Sequence, residues 1–265
     1  MTEAWSFAGR VMVVTGAAQG IGEATARLMA GRGAAGLALI DRNSAAVATL
    51  AAELAARGCP AEPIPADLGE VAHCFGAIDR AAERFGALHG LVNAAGVTDR
   101  GTIDDTTPEL FDRIFAVDAR APFFLIQRIL PWLRRSGGGT VVNVVSITVH
   151  GGIPDLAAYV GAKGALAALT KNIAAAVARD RVRVNGLNLG WTVTPNERLV
   201  QTQVHGRPED WDTEVGRTQP FGRLLEPIDA ARAIAFLASA ESGLMTGALI
   251  DFEQQVIGAY PVPQP

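Results

Sequence analysis

A doubly wound α/β domain is the architecture expected of this 265-residue chain. Strand-like runs alternate with alanine-rich helical stretches from one end to the other. The runs do not alternate apolar with polar; they are apolar on both faces, as parallel strands covered by helices on each side must be. No linker, repeat or break in composition divides the chain, so a single domain over 1–265 is expected. Hydrophobic residues make up 49% and charged residues 19%, which is enough to build a large core.

The elements follow in order. The β-branched run RVMVVT (10–15) is the first strand, and a glycine-rich turn leads from it into a helix from Ile21 to Arg32. GLALID (36–41) is a second buried strand. A helix rich in Ala and Leu covers about 44–57, a strand lies near 61–66 and a helix covers about 70–85. LHGLVNAAG (88–96) reads as the fourth strand and TVVNVVS (140–146) as the fifth. VRVNGLNL (182–189) is the sixth and GALIDF (247–252) a short seventh. Between the sixth strand and a late helix, 191–226 reads as irregular, with prolines, glycines and two tryptophans. A long irregular stretch inside a compact domain is a lid or binding loop, or else a surface excursion. The tail YPVPQP (260–265) is expected to be extended.

Several classes are set aside. The formal charge of −4, from 23 basic and 27 acidic side chains, lacks the concentrated basic surface of a nucleic-acid binder. No apolar run reaches membrane-spanning length, and the start MTEAWSFAGR has no signal-peptide core. Cys59 and Cys74 fit no metal or redox spacing and are expected to be reduced and structural, as in a cytoplasmic protein. His73, His89, His150 and His205 show no ligand spacing, so no catalytic metal is expected.

Thr15-Gly16-Ala17-Ala18-Gln19-Gly20-Ile21-Gly22 joins the first strand to the first helix. Small residues there let backbone approach a pyrophosphate, which the free N–H groups and dipole of the helix then attract. Asp41 ends the second strand about 20 residues further on, where a carboxylate can accept from both ribose hydroxyls and repel a 2′-phosphate. That points to NAD over NADP, although the Arg42 guanidinium could reach a phosphate. Asp41 also reads as an N-cap, a part that Asn43 or Ser44 would serve equally well. Asp67 reads either as an adenine contact or as a cap for the helix near 70. Tyr159 and Lys163, four apart, share a helix face. A nearby ammonium, and the helix dipole if Tyr159 lies in the first turn, would lower the phenol from its usual value near 10 towards operating pH. Ser146, at the end of the fifth strand, can hold a substrate oxygen as charge develops on it. The set suits interconversion of an alcohol and a ketone.

On these motifs, with Asn93-Ala94-Ala95-Gly96, Asn185 and Leu189-Gly190-Trp191, the chain resembles the short-chain dehydrogenase/reductase family nearly end to end. The resemblance implies a Rossmann-type fold with a seven-stranded parallel sheet and hydride transfer at a nicotinamide. It makes Ser146, Tyr159 and Lys163 catalytic, with Lys163 also on the nicotinamide ribose. It adds Leu68, Gly190, Thr192 and Thr194 to the dinucleotide contacts. Many members are homotetramers, and the apolar helix over about 160–178 fits an interface between subunits, in a homotetramer or a homodimer. Two positions depart from the pattern. Asp118 stands where the family has an Asn that holds a proton-relaying water. Its carboxylate can accept from that water but cannot donate, and it could pair with Lys163 or with Arg120. Leu189 replaces the proline usual before Gly190.

Thr148, His150, Trp191, Asn196, His205 and Trp211 could face the nicotinamide, and such a lining suits a sugar, polyol or other small polar hydroxy compound. The long loop is expected to close over it. The reading that follows is an NAD-dependent oxidoreductase of secondary alcohols. The alternatives are a non-catalytic NAD-sensing protein on the same fold, supported only by Asp118, and an NADPH-dependent ketoreductase.

Overall fold

The computed structural model describes residues 5–259, so the tail at 260–265 and the first four positions of the start lie outside the described residues. Seven strands form one sheet: β1 (Val11–Thr15), β2 (Gly36–Asp41), β3 (Ala61–Pro65), β4 (Gly90–Asn93), β5 (Gly139–Val144), β6 (Val182–Leu189) and β7 (Leu249–Phe252). Their order is β3-β2-β1-β4-β5-β6-β7, and every pair is parallel. Parallel pairing requires a crossover after each strand, and helices supply it. These are α1 (Gly20–Gly31), α2 (Ser44–Ala56), α3 (Val71–Phe85), α4 (Pro108–Phe115), α5 (Ala121–Arg135), α6 (Ala157–Val177), α7 (Pro195–Leu199), α8 (Trp211–Arg217) and α9 (Pro227–Ala238).

Successive strand residues point to opposite faces, so each central strand feeds two cores. Met12, Val14, Leu37 and Leu39 pack with Met29, Leu54 and Ile234 on one side of the sheet. Val13, Ile40 and Leu91 pack with Ile78, Leu125 and Ile129 on the other. The rule of two apolar faces holds for the five central strands and fails at the two edges. Most of β3 and β7 is only partly buried, because nothing pairs beyond either strand among the described residues. Edge position is also what allows Pro63 and Pro65 in β3, since proline cannot donate to a further ladder.

A polar chain crosses the second core. Asn93 Nδ2 donates to Asn143 Oδ1 (2.8 Å), Asn143 Nδ2 donates to Thr170 Oγ1 (2.9 Å), and that hydroxyl donates to the Leu166 carbonyl (2.7 Å). It ties β4 and β5 to α6. Ahead of α5, the helical path widens into a π-bulge at Ala116–Arg120, a device common at functional sites.

The irregular reading of 191–226 is corrected. The segment holds α7, a second π-turn at Val200–Val204 and α8. Its ends are stitched together by a bridge between Thr192 and Leu225. Trp211 is 1% exposed, which makes the segment a packed lobe with its own anchor. The apolar character of α6 is likewise spent mostly inward, on Leu166, Ile173 and Val177, leaving Gly161, Ala168, Ala175 and Ala176 outside.

Candidate active site

In this strand order, β1 leads outwards to β3 and the chain then returns to β4, so the connections from β1 and β4 leave on opposite faces and open a crevice above their C-terminal ends. The glycine turn sits on one lip. Gly16 and Gly20 have φ of +66° and +59°, a region costly for any residue with a Cβ. A Cβ on Gly22 would lie 2.2 Å from the Gly16 carbonyl oxygen. Gly22→Ala should therefore open the turn. The expected cost is about 1–3 kcal/mol of stability together with at least a tenfold weaker affinity for the dinucleotide, read by thermal melting and by fluorescence titration. Gln19 begins α1 without a side-chain cap, leaving the first-turn N–H groups for an anion.

The Thr15 hydroxyl accepts from the Ala94 and Ala95 N–H groups (both 3.0 Å), tying the two lips together. Asp41 accepts from Ala18 N–H (3.0 Å) and Asn43 N–H (2.9 Å), which fixes its carboxylate beside the glycine turn. It does not cap α2, because Asn43 does so by accepting from Ala46 N–H. The cap reading of Asp67 also falls. Its side chain accepts from Gly69 N–H (2.9 Å), and Glu70, the residue before α3, caps that helix with no side-chain hydrogen bond. Leu68 is buried and Arg42 exposed. Asn93 is buried, with its Oδ1 lacking any partner.

β5 ends at Val144, two residues before the expected Ser146, which instead opens a short 3₁₀ turn, Ile147–His150, and accepts from Thr148 N–H (3.3 Å). Tyr159 and Lys163 lie in the first two turns of α6, as their spacing requires. Lys163 is 4% exposed, and its Nζ donates to the Val144 carbonyl (3.0 Å) and lies 5.5 Å from the centre of the Tyr159 ring. Asp118, on the π-bulge, is completely buried. Its Oδ1 accepts from Val97 N–H (2.8 Å), while Oδ2 makes no hydrogen bond and stands 3.6 Å from Lys163 Nζ. Pairing with Arg120 does not occur, since that guanidinium donates to the Gly69 carbonyl. Gly96 lies against the pair, so that a Cβ there would touch both partners.

The expectation of an acidified phenol is corrected. Burial raises Tyr159 above its ordinary value; Lys163 and Ser146 pull the other way, and Asp118 adds to the rise. Burial also raises the Asp118 carboxyl against the opposing pull of Lys163. Lys163 is itself held charged above the ordinary lysine range, the charges of Asp118 and Tyr159 outweighing its desolvation.

The lobe over the crevice is organised by Glu197, which the sequence reading missed. Its Oε1 accepts from Trp191 Nε1 (2.8 Å) and Gln201 Nε2 (2.7 Å) and lies 3.6 Å from Arg100. Trp191 stacks on Trp211 with ring centres 5.4 Å apart, and the Arg207 guanidinium lies 5.8 Å from its ring. Trp191 is thus bound chiefly to its own lobe. Arg100 also approaches His205 (3.3 Å) and Asp155 (3.7 Å), and Asn196 reaches Thr98 (3.5 Å), so the lobe meets the loop after β4. Thr192 donates to the Gly190 carbonyl, and Thr194 caps α7. Gly190 makes room for Glu253, whose Oε2 a Cβ would strike at 2.1 Å. His150 pairs with Asp251 (2.7 Å), whereas the buried Thr148 hydroxyl has no partner. Asn185 holds the Met245 carbonyl and the Ala248 N–H, a structural task.

Residues 16–253 match a family model described as enoyl-(acyl carrier protein) reductase. The cis-4-hydroxycyclohexanecarboxylate dehydrogenase of Sinomonas cyclohexanicum is 35% identical, over 92% of this chain and 95% of that one. The chain belongs to the short-chain dehydrogenase/reductase family. Among solved structures, the 3-ketoacyl-(acyl-carrier-protein) reductase of Brucella melitensis complexed with NADH is 31% identical and superposes with a TM-score of 0.83, covering 94% of this chain and 98% of that one. Levodione reductase superposes with a TM-score of 0.87 at 27% identity, covering 94% and 97%. As a short-chain dehydrogenase/reductase, the protein is an oxidoreductase acting on CH–OH groups and binding a nicotinamide cofactor. The uncapped N-terminus of α1, the carboxylate of Asp41 and the orphaned Oδ1 of Asn93 fit such a group. Among the described residues no cluster of His, Cys, Asp and Glu could hold a metal ion, and no helix is long and apolar enough to cross a membrane.

Proposed function

We propose that the protein transfers hydride between NAD and a secondary alcohol or its ketone. The observation that carries this reading is the grouping of Ser146, Tyr159 and Lys163 around the end of β5, next to the glycine turn. Bound NAD supplies the hydride acceptor. Ser146 steadies the substrate oxygen, Tyr159 exchanges its proton, and Lys163, 5.5 Å from the centre of the phenol ring, would hold the nicotinamide ribose. Gly16 to Gly22 would hold the pyrophosphate, and Asn93, Ala94, Gly96, Gly190, Thr192 and Thr194 would line the nicotinamide half.

Asp41 supports NAD over NADP, because a carboxylate fixed beside the glycine turn can accept from ribose hydroxyls and repels a 2′-phosphate. For the substrate we favour a small polar hydroxy compound with its hydroxyl on a ring. Ile153, just past the 3₁₀ turn that Ser146 opens, and Leu199, at the end of α7, are exposed apolar side chains, Arg100, Asn196 and His205 offer polar groups, and one relative is named for a hydroxycyclohexanecarboxylate. The lobe over 191–226 closes on it and excludes water. The same reading takes the protein to be cytoplasmic, with Cys59 and Cys74 reduced, and to assemble as a homotetramer or homodimer through the small exposed residues of α6.

The test is a panel of cyclic alcohols, sugars and polyols with each dinucleotide, followed by NADH absorbance. Turnover with NAD at least tenfold above that with NADP is expected, and Asp41→Ala should narrow that ratio. Equal or better use of NADP by the native chain defeats the Asp41 argument; no oxidation of any alcohol, and no reduction of the matching ketones, defeats the reading.

A further inference from the structure

Asp118 replaces the amide usual in the family, and its surroundings give that replacement a consequence. The carboxylate is fully buried on a π-bulge, one oxygen fixed by Val97 N–H and the other 3.6 Å from Lys163 Nζ with no hydrogen bond of its own. A neutral amide there would leave the buried ammonium as an uncancelled charge beside the phenol, and a nearby cation favours phenolate. With a carboxylate in place the two charges largely cancel at the ring. The groups that act on the phenol come from four elements: Lys163 on its own helix, Asp118 on the bulge, Ser146 after β5 and Glu197 on α7. Asp99, from the loop after β4, acts on Asp118 in turn. Among the charged ones only Lys163 favours phenolate, and Asp118 and Glu197 oppose it.

We propose that Asp118 is a positioning residue whose charge, set against that of Lys163, keeps Tyr159 in its proton-bearing form at neutral pH and so biases the site towards ketone reduction. This rests on the hydride-transfer reading above. In that direction the carbonyl carbon accepts hydride from NADH while its oxygen takes the Tyr159 proton, and the phenolate left behind is reprotonated from water. Alcohol oxidation, which needs the phenolate first, is deferred to alkaline pH.

The chain has only two tyrosines, so the phenol can be watched directly. Protein labelled with ¹³Cζ-tyrosine gives two resonances, and Tyr260→Phe identifies that of Tyr159. In the chain without dinucleotide, native Tyr159 is expected to hold its proton to about pH 10 or beyond. Asp118→Asn should titrate at least about one pH unit lower and oxidise alcohol about tenfold faster at neutral pH, its half-maximal pH for oxidation moving down by the same amount. A native phenol that ionises below about pH 9, or an Asp118→Asn shift smaller than about 0.3 of a pH unit, overturns the proposal. If Asp118→Asn does not fold, the native titration decides alone. Because the resonance is read without turnover, failure of the hydride-transfer reading would show separately, as no oxidation of any alcohol and no reduction of any matching ketone with either dinucleotide.

Discussion

Tyr159→Phe should lower kcat/KM for alcohol oxidation by about 10²–10⁴-fold, or about 3–5 kcal/mol of transition-state stabilisation, while dinucleotide affinity stays within about twofold. The ring packs beside Val97 and Phe115 against the small cluster formed by Ile114, Ala119, Ala158 and Ala162. Phenylalanine keeps that packing and removes only the oxygen. The loss should therefore fall on kcat, because the missing proton transfer belongs to the chemical step and not to binding. Steady-state kinetics beside an NADH titration separates the two. Near-native turnover in a folded variant would mean that another group moves the proton.

Lys163→Met is the most damaging single change expected for stability. Removing one partner of a buried ion pair strands the other, at about 3–5 kcal/mol, which in a domain of this size lowers Tm by roughly 6–20 °C. The sign of its pH dependence follows from the shifts. Native Lys163 binds its proton more tightly than an ordinary lysine, so its contribution is complete below the usual lysine range and lost as pH climbs through the raised value. In Lys163→Met, Asp118 loses the ammonium that opposed its rise. The carboxyl then holds its proton more tightly in the folded chain than in the unfolded one, so the variant should gain stability relative to the native protein as pH falls towards the carboxylate range. Adding Asp118→Asn should restore part of the lost Tm. Calorimetric melts of the native chain, Lys163→Met and the double variant across pH check this, and equal losses at acid and neutral pH would count against a stranded charge.

The central sheet was legible because its five inner strands are apolar on both faces, a pattern that needs no knowledge of partners. β3 and β7 share that composition in part but lie at edges, and strand order cannot be read from a run of five residues. The positions of the glycine turn, Asp41, Tyr159 and Lys163 were legible for a similar reason: they depend on spacing along one strand, turn or helix. What spacing does not carry is depth. Tyr159 beside Lys163 suggested an acidified phenol; the desolvation of the partly buried ring and the carboxylate on a separate bulge act in the opposite direction. The segment 191–226 was marked out as a lid or binding loop, but its helices were missed although Thr194-Pro195-Asn196-Glu197 carries a start signal, a capping threonine with proline at the first helical position. The short length of α7 hid the apolar period that normally accompanies such a signal, and the isolated tryptophans gave no sign that one would bury itself under the other.

The amide chain from Asn93 through Asn143 to Thr170 has a bearing on where this protein can change. Sliding α6 along the sheet by a single turn would tear Thr170 from Asn143 and leave interior donors and acceptors facing hydrocarbon. Tyr159, on the same helix as Thr170, is therefore indexed to the strands by groups far beneath it, much as a key is held by wards deep in a lock. The lobe over 191–226 is free of that constraint, since its contacts with the loop after β4, through Arg100, Asn196 and His205, can be exchanged without disturbing that index.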